Sequence, residues 1–117
     1  MTKEHGYNGW TNYETWNIAL WMGNDEGSYR YWDEEAQRAY DSAEADKTFT
    51  REERATLELA EQIKTEYTDA AQDVLEQGKV AASWISDLLG AALSEVNWHE
   101  IAEHLIEEVE KETEIKD

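Results

Sequence analysis

Cysteine is absent from this 117-residue chain, and so is proline. Without thiols there is no disulfide framework and no thiolate metal centre, a composition that fits a reducing compartment. Zero prolines biases the chain toward helices, which tolerate that residue only near their starts. Cationic side chains are scarce: 10 Lys and Arg stand against 28 Asp and Glu, a formal charge of 10 − 28 = −18. That balance opposes direct contact with nucleic acid or with an anionic membrane surface. No apolar run reaches 18 residues, and the opening "MTKEHGYNG" has no apolar stretch, so neither a membrane span nor a secretory leader is expected. These absences point to a soluble, cytoplasmic protein. Disordered acidic chains lack aromatic residues; six Trp, six Tyr and Phe49 argue instead for a folded core. The length suits one domain, residues 1–117, with 1–9 and 112–117 as mobile ends.

Aromatic residues concentrate in residues 10–24, "WTNYETWNIALWMGN", which hold Trp10, Trp16, Trp21 and Tyr13. Thr11 and Glu14 stand in the relation of a capping box, and Gly23-Asn24 tolerates a helix end, which predicts a helix over 12–22. Tyr13, Trp16 and Leu20 share a face with Trp21 beside them, and this face is expected to anchor the core. The amide of Asn17, in the middle of the stretch, is expected to bond across the core or to build a polar site.

Ser28 can cap a second helix over 28–44, with Tyr29, Trp32, Ala36, Ala39, Tyr40 and Ala43 at helical steps. Thr50 and Glu53 repeat the capping box, and Phe49 before them is placed to staple against Arg54 or Ala55. The third helix then carries Leu57, Ala60, Ile63, Tyr67, Ala71 and Val74 to a stop at Gly78, with Thr68-Asp69 as a point of interruption. A fourth helix over 80–95 is apolar round most of its girth, with Trp84, Ile85, Leu88, Leu89, Ala92 and Leu93, and is expected at the centre. Asn97 caps the fifth, whose apolar stripe is Trp98, Ile101, Ala102, Leu105, Ile106 and Val109. The expected architecture is all-α, a compact bundle of about five helices.

On the fifth helix Glu100, Glu103, Glu107, Glu110 and Glu114 follow steps of three and four and form one carboxylate stripe. At about 1.5 Å rise per residue the stripe spans about 21 Å, with neighbours about 5 Å apart. Phosphates of one DNA strand advance about 3.4 Å along the axis, so the charge densities agree in order of magnitude. The plain alternative is a solvated face, yet like charges at i,i+4 oppose the helix, a cost that solubility alone does not require. Asp33, Glu34 and Asp41 belong to a second acidic concentration.

Enzymatic patterns are weak. His99 and His104 in "HEIAEH" are five residues apart, about 140° round a helix, and do not share the face a zinc protease needs. No Gly-rich phosphate loop, cysteine nucleophile or second Glu-x-x-His copy occurs, so no metal or cofactor and no catalytic residue is expected.

The segments "TNYETWNIALWMGNDEG" and "LLGAALSEVNWHEIAEHLIEE", about a third of the chain, resemble a family of small proteins encoded in phages, plasmids and bacterial genomes. That setting implies a role against host defence, as an inhibitor of a restriction enzyme or CRISPR effector, and supplies no catalytic residues. The expected function is an acidic DNA-mimic inhibitor that binds a host defence protein in its basic nucleic-acid groove. Contact is expected from Glu100, Glu103, Glu107, Glu110 and Glu114, with Asp33, Glu34 and Asp41 second. The alternative is a helical adaptor that binds a host protein through Trp10 and Trp21.

Overall fold

The computed structural model describes residues 6–116, with side chains as far as Thr113. The described residues form five helices and no strand: α1 (Tyr13–Asn24), α2 (Glu26–Ser42), α3 (Arg51–Gln77), α4 (Trp84–Ser94) and α5 (Trp98–Lys116). The fold is an all-α bundle, as the periodicity predicts.

The main seam joins α3 to α5, where Ala55, Leu59 and Ile63 meet Ile101, Ala102, Ile106 and Val109, all essentially without solvent contact. Each fully buried Leu, Ile or Val side chain of this seam stabilises the fold by roughly 1.5–3 kcal/mol. The amphipathic α2 closes the third side with Trp32, Ala36 and Ala39, and α1 lies against α2 and α5 through Met22. Trp32 stacks on Tyr67 at 6.2 Å, and Tyr67 approaches Trp98 at 6.2 Å, so one aromatic row crosses α2, α3 and α5.

A polar clasp sits beside that row. Gln62 donates to Glu35 at 2.7 Å and to Glu66 at 3.0 Å, while the Tyr31 hydroxyl donates to Glu66 at 2.8 Å. Glu35 is buried, and Arg38 pairs with it at 2.9 Å, so its charge is compensated.

The caps explain where the helices begin. Asn12, one residue past the expected Thr11, is the N-cap of α1 and accepts from the Thr15 N–H at 2.9 Å. Asp25 takes the role expected of Ser28: its carboxylate accepts from the Ser28 N–H, which starts α2 two residues earlier and holds the Asp25 carboxyl below its usual range. Thr50 and Glu53 form the expected capping box, and the Arg54 guanidinium lies over the Phe49 ring at 5.1 Å. Thr68-Asp69 does not interrupt α3, which runs unbroken for 27 residues, about 40 Å.

At the end of α3 the Val80 N–H bonds the Leu75 carbonyl and the Lys79 N–H bonds the Glu76 carbonyl, a Schellman closure. Its left-handed position is held by Lys79, at φ 61°, and not by the expected glycine; Gly78 keeps a right-handed φ of −81°. A side chain there costs about 1 kcal/mol. Lys79→Gly is therefore expected to raise stability by roughly 0.5–1 kcal/mol in urea unfolding, whereas Gly78→Ala gains no such relief.

Two expectations about burial are corrected. The inward face of α1 is Thr15 and Met22, flanked by Ile18 and Ala19; Tyr13 and Trp21 are exposed, and Trp16 and Leu20 are only half-buried. The helix starts a residue later and ends later than its aromatic spacing suggests, so its apolar girth divides between core and surface. The fourth helix is peripheral, not central: α4 has 11 residues, none of them buried, and packs chiefly on α3. It sits on the distal part of α3, where Leu75 alone is buried beyond Ile63. The radius of gyration, 15.8 Å, exceeds the roughly 13 Å of an evenly packed domain of this length because that arm projects from the core.

Candidate functional site

The segments around residues 11–27 and 88–108 meet in space, and their polar residues at 12, 15, 97 and 100 are mutual helix caps. Thr15 has no solvent exposure; its hydroxyl donates to Asn12 Oδ1 at 2.6 Å and accepts from the Asn97 N–H at 2.8 Å. Asn97 caps α5 by accepting from the Glu100 N–H at 3.0 Å, and Asn12 Nδ2 donates to the Glu95 carbonyl at 2.7 Å. Glu100 Oε1 accepts from the Thr11 N–H at 3.1 Å. The starts of α1 and α5 thus satisfy each other's open backbone groups across more than 80 positions of sequence. The amide that reaches a distant segment is that of Asn12, in an exposed bond to the Glu95 carbonyl, while Asn17 is half-buried on the next turn.

Glu100 accordingly leaves the expected stripe. At 8% exposure it is a buried capping group. Glu103 and Glu107 stay exposed and Glu110 is half-exposed, while the Glu114 side chain lies outside the described residues. The three that remain line a groove of about 280 Å³ between α5 and the start of α3, together with Glu52 and Glu53. Phe49, Thr56, Leu57, His99 and Ile106 complete its wall, and no Lys or Arg among the described residues lines it.

Nearby arginines are engaged elsewhere: Arg54 pairs with Asp46, and Arg51 lies over the Tyr40 ring while donating to the Tyr40 carbonyl. Glu52 and Glu53 stand in the first turn of α3, where free N–H groups and the helix dipole favour carboxylates. The Glu52 carboxyl is held below its usual range, first by its own backbone N–H and then by a hydrogen bond with Glu110.

Glu52 and Glu53 were legible as helix-start residues but not as groove residues, because their neighbours on α5 are fifty positions away. Asp33, Glu34 and Asp41 lie on α2, and none of them lines the groove; Asp41 accepts from Gln37 at 3.0 Å. The two acidic concentrations are therefore not brought together in one groove.

The aromatic residues divide as well. Trp10 is half-buried with its ring 4.4 Å from that of His104, whereas Trp21 is 63% exposed. Trp10, Met22, Tyr29, Trp32 and His104 share a second, apolar hollow of about 200 Å³ between α1, α2 and α5. His99 lines the acidic groove while His104 stacks on Trp10, so the two histidines of "HEIAEH" serve different faces. No helix among the described residues is long and apolar enough to cross a membrane.

Comparison with curated proteins finds no match, and comparison with solved structures finds none either. A family model matches residues 3–116, nearly the whole length, and the chain belongs to that family, DUF7249, a family of unknown function.

Proposed function

We propose that this protein is a non-catalytic inhibitor that sets the α3–α5 carboxylate groove against the basic nucleic-acid-binding groove of a host defence enzyme, a restriction enzyme or CRISPR effector. The observation that carries this reading is the convergence of Glu52, Glu53, Glu103, Glu107 and Glu110 on one groove that no Lys or Arg among the described residues lines. Along α5 the run from Glu103 to Glu110 covers about 10 Å, shorter than the stripe the sequence suggests, and Glu52 and Glu53 at the start of α3 add two carboxylates beside it. Binding would then follow the rules of DNA binding, with fast steered association and steep weakening by salt.

The test is capture of partners from a host lysate by the tagged protein, at about 0.05 M and 0.5 M salt. A nucleic-acid enzyme released by high salt and displaced by DNA is the expected result. The triple variant Glu103→Lys, Glu107→Lys, Glu110→Lys is expected to lose at least about a hundredfold in affinity for it, with an unchanged helical circular-dichroism spectrum. Undiminished binding by that variant would overturn the reading.

A second reading, an adaptor that binds a host protein through apolar contact, is favoured by Trp21 at 63% and Tyr29 at 56% exposure. It predicts capture that persists in high salt and is lost in Trp21→Ala.

A further inference from the structure

We propose that the hollow between α1, α2 and α5 is a receptor for one arginine side chain of a partner protein. Its floor is closed and apolar, made by the buried Met22, Trp32 and Ile101. Its mouth is open, with Tyr29, His104 and Glu108 exposed around it. At about 200 Å³ it is smaller than the roughly 300 Å³ at which small-molecule sites begin, so it suits a single side chain.

The lining selects a cation. Trp10, Tyr29 and Trp32 bring three rings whose faces carry negative potential, and among the described residues Glu108 is the only Asp, Glu, Lys or Arg that lines the hollow. A neutral occupant would take water from that carboxylate and return no partner, and an anion is repelled both by Glu108 and by a chain of charge −18. A cation gains from the rings and from the carboxylate. Arginine gains more than lysine, because its planar and weakly hydrated guanidinium stacks on a ring while its edge donates to a carboxylate.

Two of the rings are held in place before anything binds. Trp32 has Tyr31 at 4.9 Å and Tyr67 at 6.2 Å, and the Trp10 ring lies 4.4 Å from that of His104. Capture therefore costs little ordering of these side chains. Lys111 competes for Glu108 at 3.7 Å, but the two side chains are 69% and 62% exposed, and such a surface pair contributes little and gives way.

The hollow is separate from the acidic groove. On α5 it uses Ile101, His104, Leu105 and Glu108, whose mean direction lies about 140° round the helix from that of Glu103, Glu107 and Glu110. Each site can be altered without touching the other.

Titration of the full, isotope-labelled chain with N-acetyl-arginine amide, followed through the six tryptophan indole N–H resonances, tests the proposal. The expected result is a saturable shift of the Trp10 and Trp32 signals at about 1–20 mM probe, with Trp84 on α4 unmoved. The citrulline analogue, equal in shape but uncharged, is expected to shift neither signal, and the lysine analogue to bind several-fold more weakly. Tyr29→Leu keeps apolar area at the mouth and removes the ring, whereas Glu108→Gln removes the charge. Each is expected to weaken arginine several-fold with an unchanged helical circular-dichroism spectrum.

An equal response to citrulline or to lysine would overturn the proposal, as would shifts spread evenly over all six indoles or undiminished binding by both variants. The Glu103→Lys, Glu107→Lys, Glu110→Lys variant is expected to keep the Trp10 and Trp32 shifts, so this proposal and the inhibitor reading fail separately.

Discussion

Replacing Thr15 by valine is expected to lower the unfolding free energy by about 2–4 kcal/mol. Valine matches threonine in shape, so packing at this fully buried position is kept and only the hydroxyl is lost. That hydroxyl joins the two capped helix starts, donating to Asn12 Oδ1 and accepting from the Asn97 N–H. Its removal leaves the Asn97 N–H without that acceptor, which costs about 1–3 kcal/mol, and loosens the Asn12 cap, worth about 1 kcal/mol more.

For a domain of this size the melting temperature falls by about 8–15 °C. Thr56→Val is the matched control. Thr56 is also buried, but its hydroxyl donates only to the Glu52 carbonyl one turn back, and that carbonyl is already served by the helix. Its loss is expected to cost under about 0.5 kcal/mol. Equal effects in thermal melts of the two variants would show that the capping knot contributes no more than an ordinary helix hydroxyl.

Trp32→Ala is expected to destabilise by about 3–5 kcal/mol, a large part of the stability of any domain of this length. Trp32 is 4% exposed and carries the ring row between Tyr31 and Tyr67, so its removal opens a cavity at the junction of α2 and α3. Trp21→Ala, at 63% exposure, is expected to change stability by less than about 0.5 kcal/mol. Urea unfolding followed by circular dichroism separates the two cases through the midpoint, with similar slopes. A large midpoint shift for Trp21→Ala would return the aromatic first helix to the core.

That contrast shows where the sequence speaks and where it falls silent. Helical period and caps are local properties, and from them the five helices, the Thr50–Glu53 capping box, the Asn97 cap and the α2 face of Trp32, Ala36 and Ala39 are all legible. Burial is not local. The stretch around Trp10, Trp16 and Trp21 has more aromatic area than any other, yet only a strip of a helix can face a neighbour, and in α1 that strip is Thr15 and Met22. The same limit misplaces α4, whose apolar girth suggests a centre that the longer α3 and α5 already fill.

The candidate site divides along the same line. The sequence by itself determined the excess of carboxylates, their step along α5, and the helix-start positions of Glu52 and Glu53, because composition and a 3.6-residue period need no partner to be read. Only the tertiary structure decided that Glu100 turns inward to the Thr11 N–H, and that Glu52 and Glu53 join Glu103, Glu107 and Glu110 in one groove apart from Asp33, Glu34 and Asp41. The reason is that a helix face has no meaning until a second helix packs against it. The packing of α3 on α5, fixed by Leu59, Ile63, Ile106 and Val109, sets which carboxylates meet and which become caps.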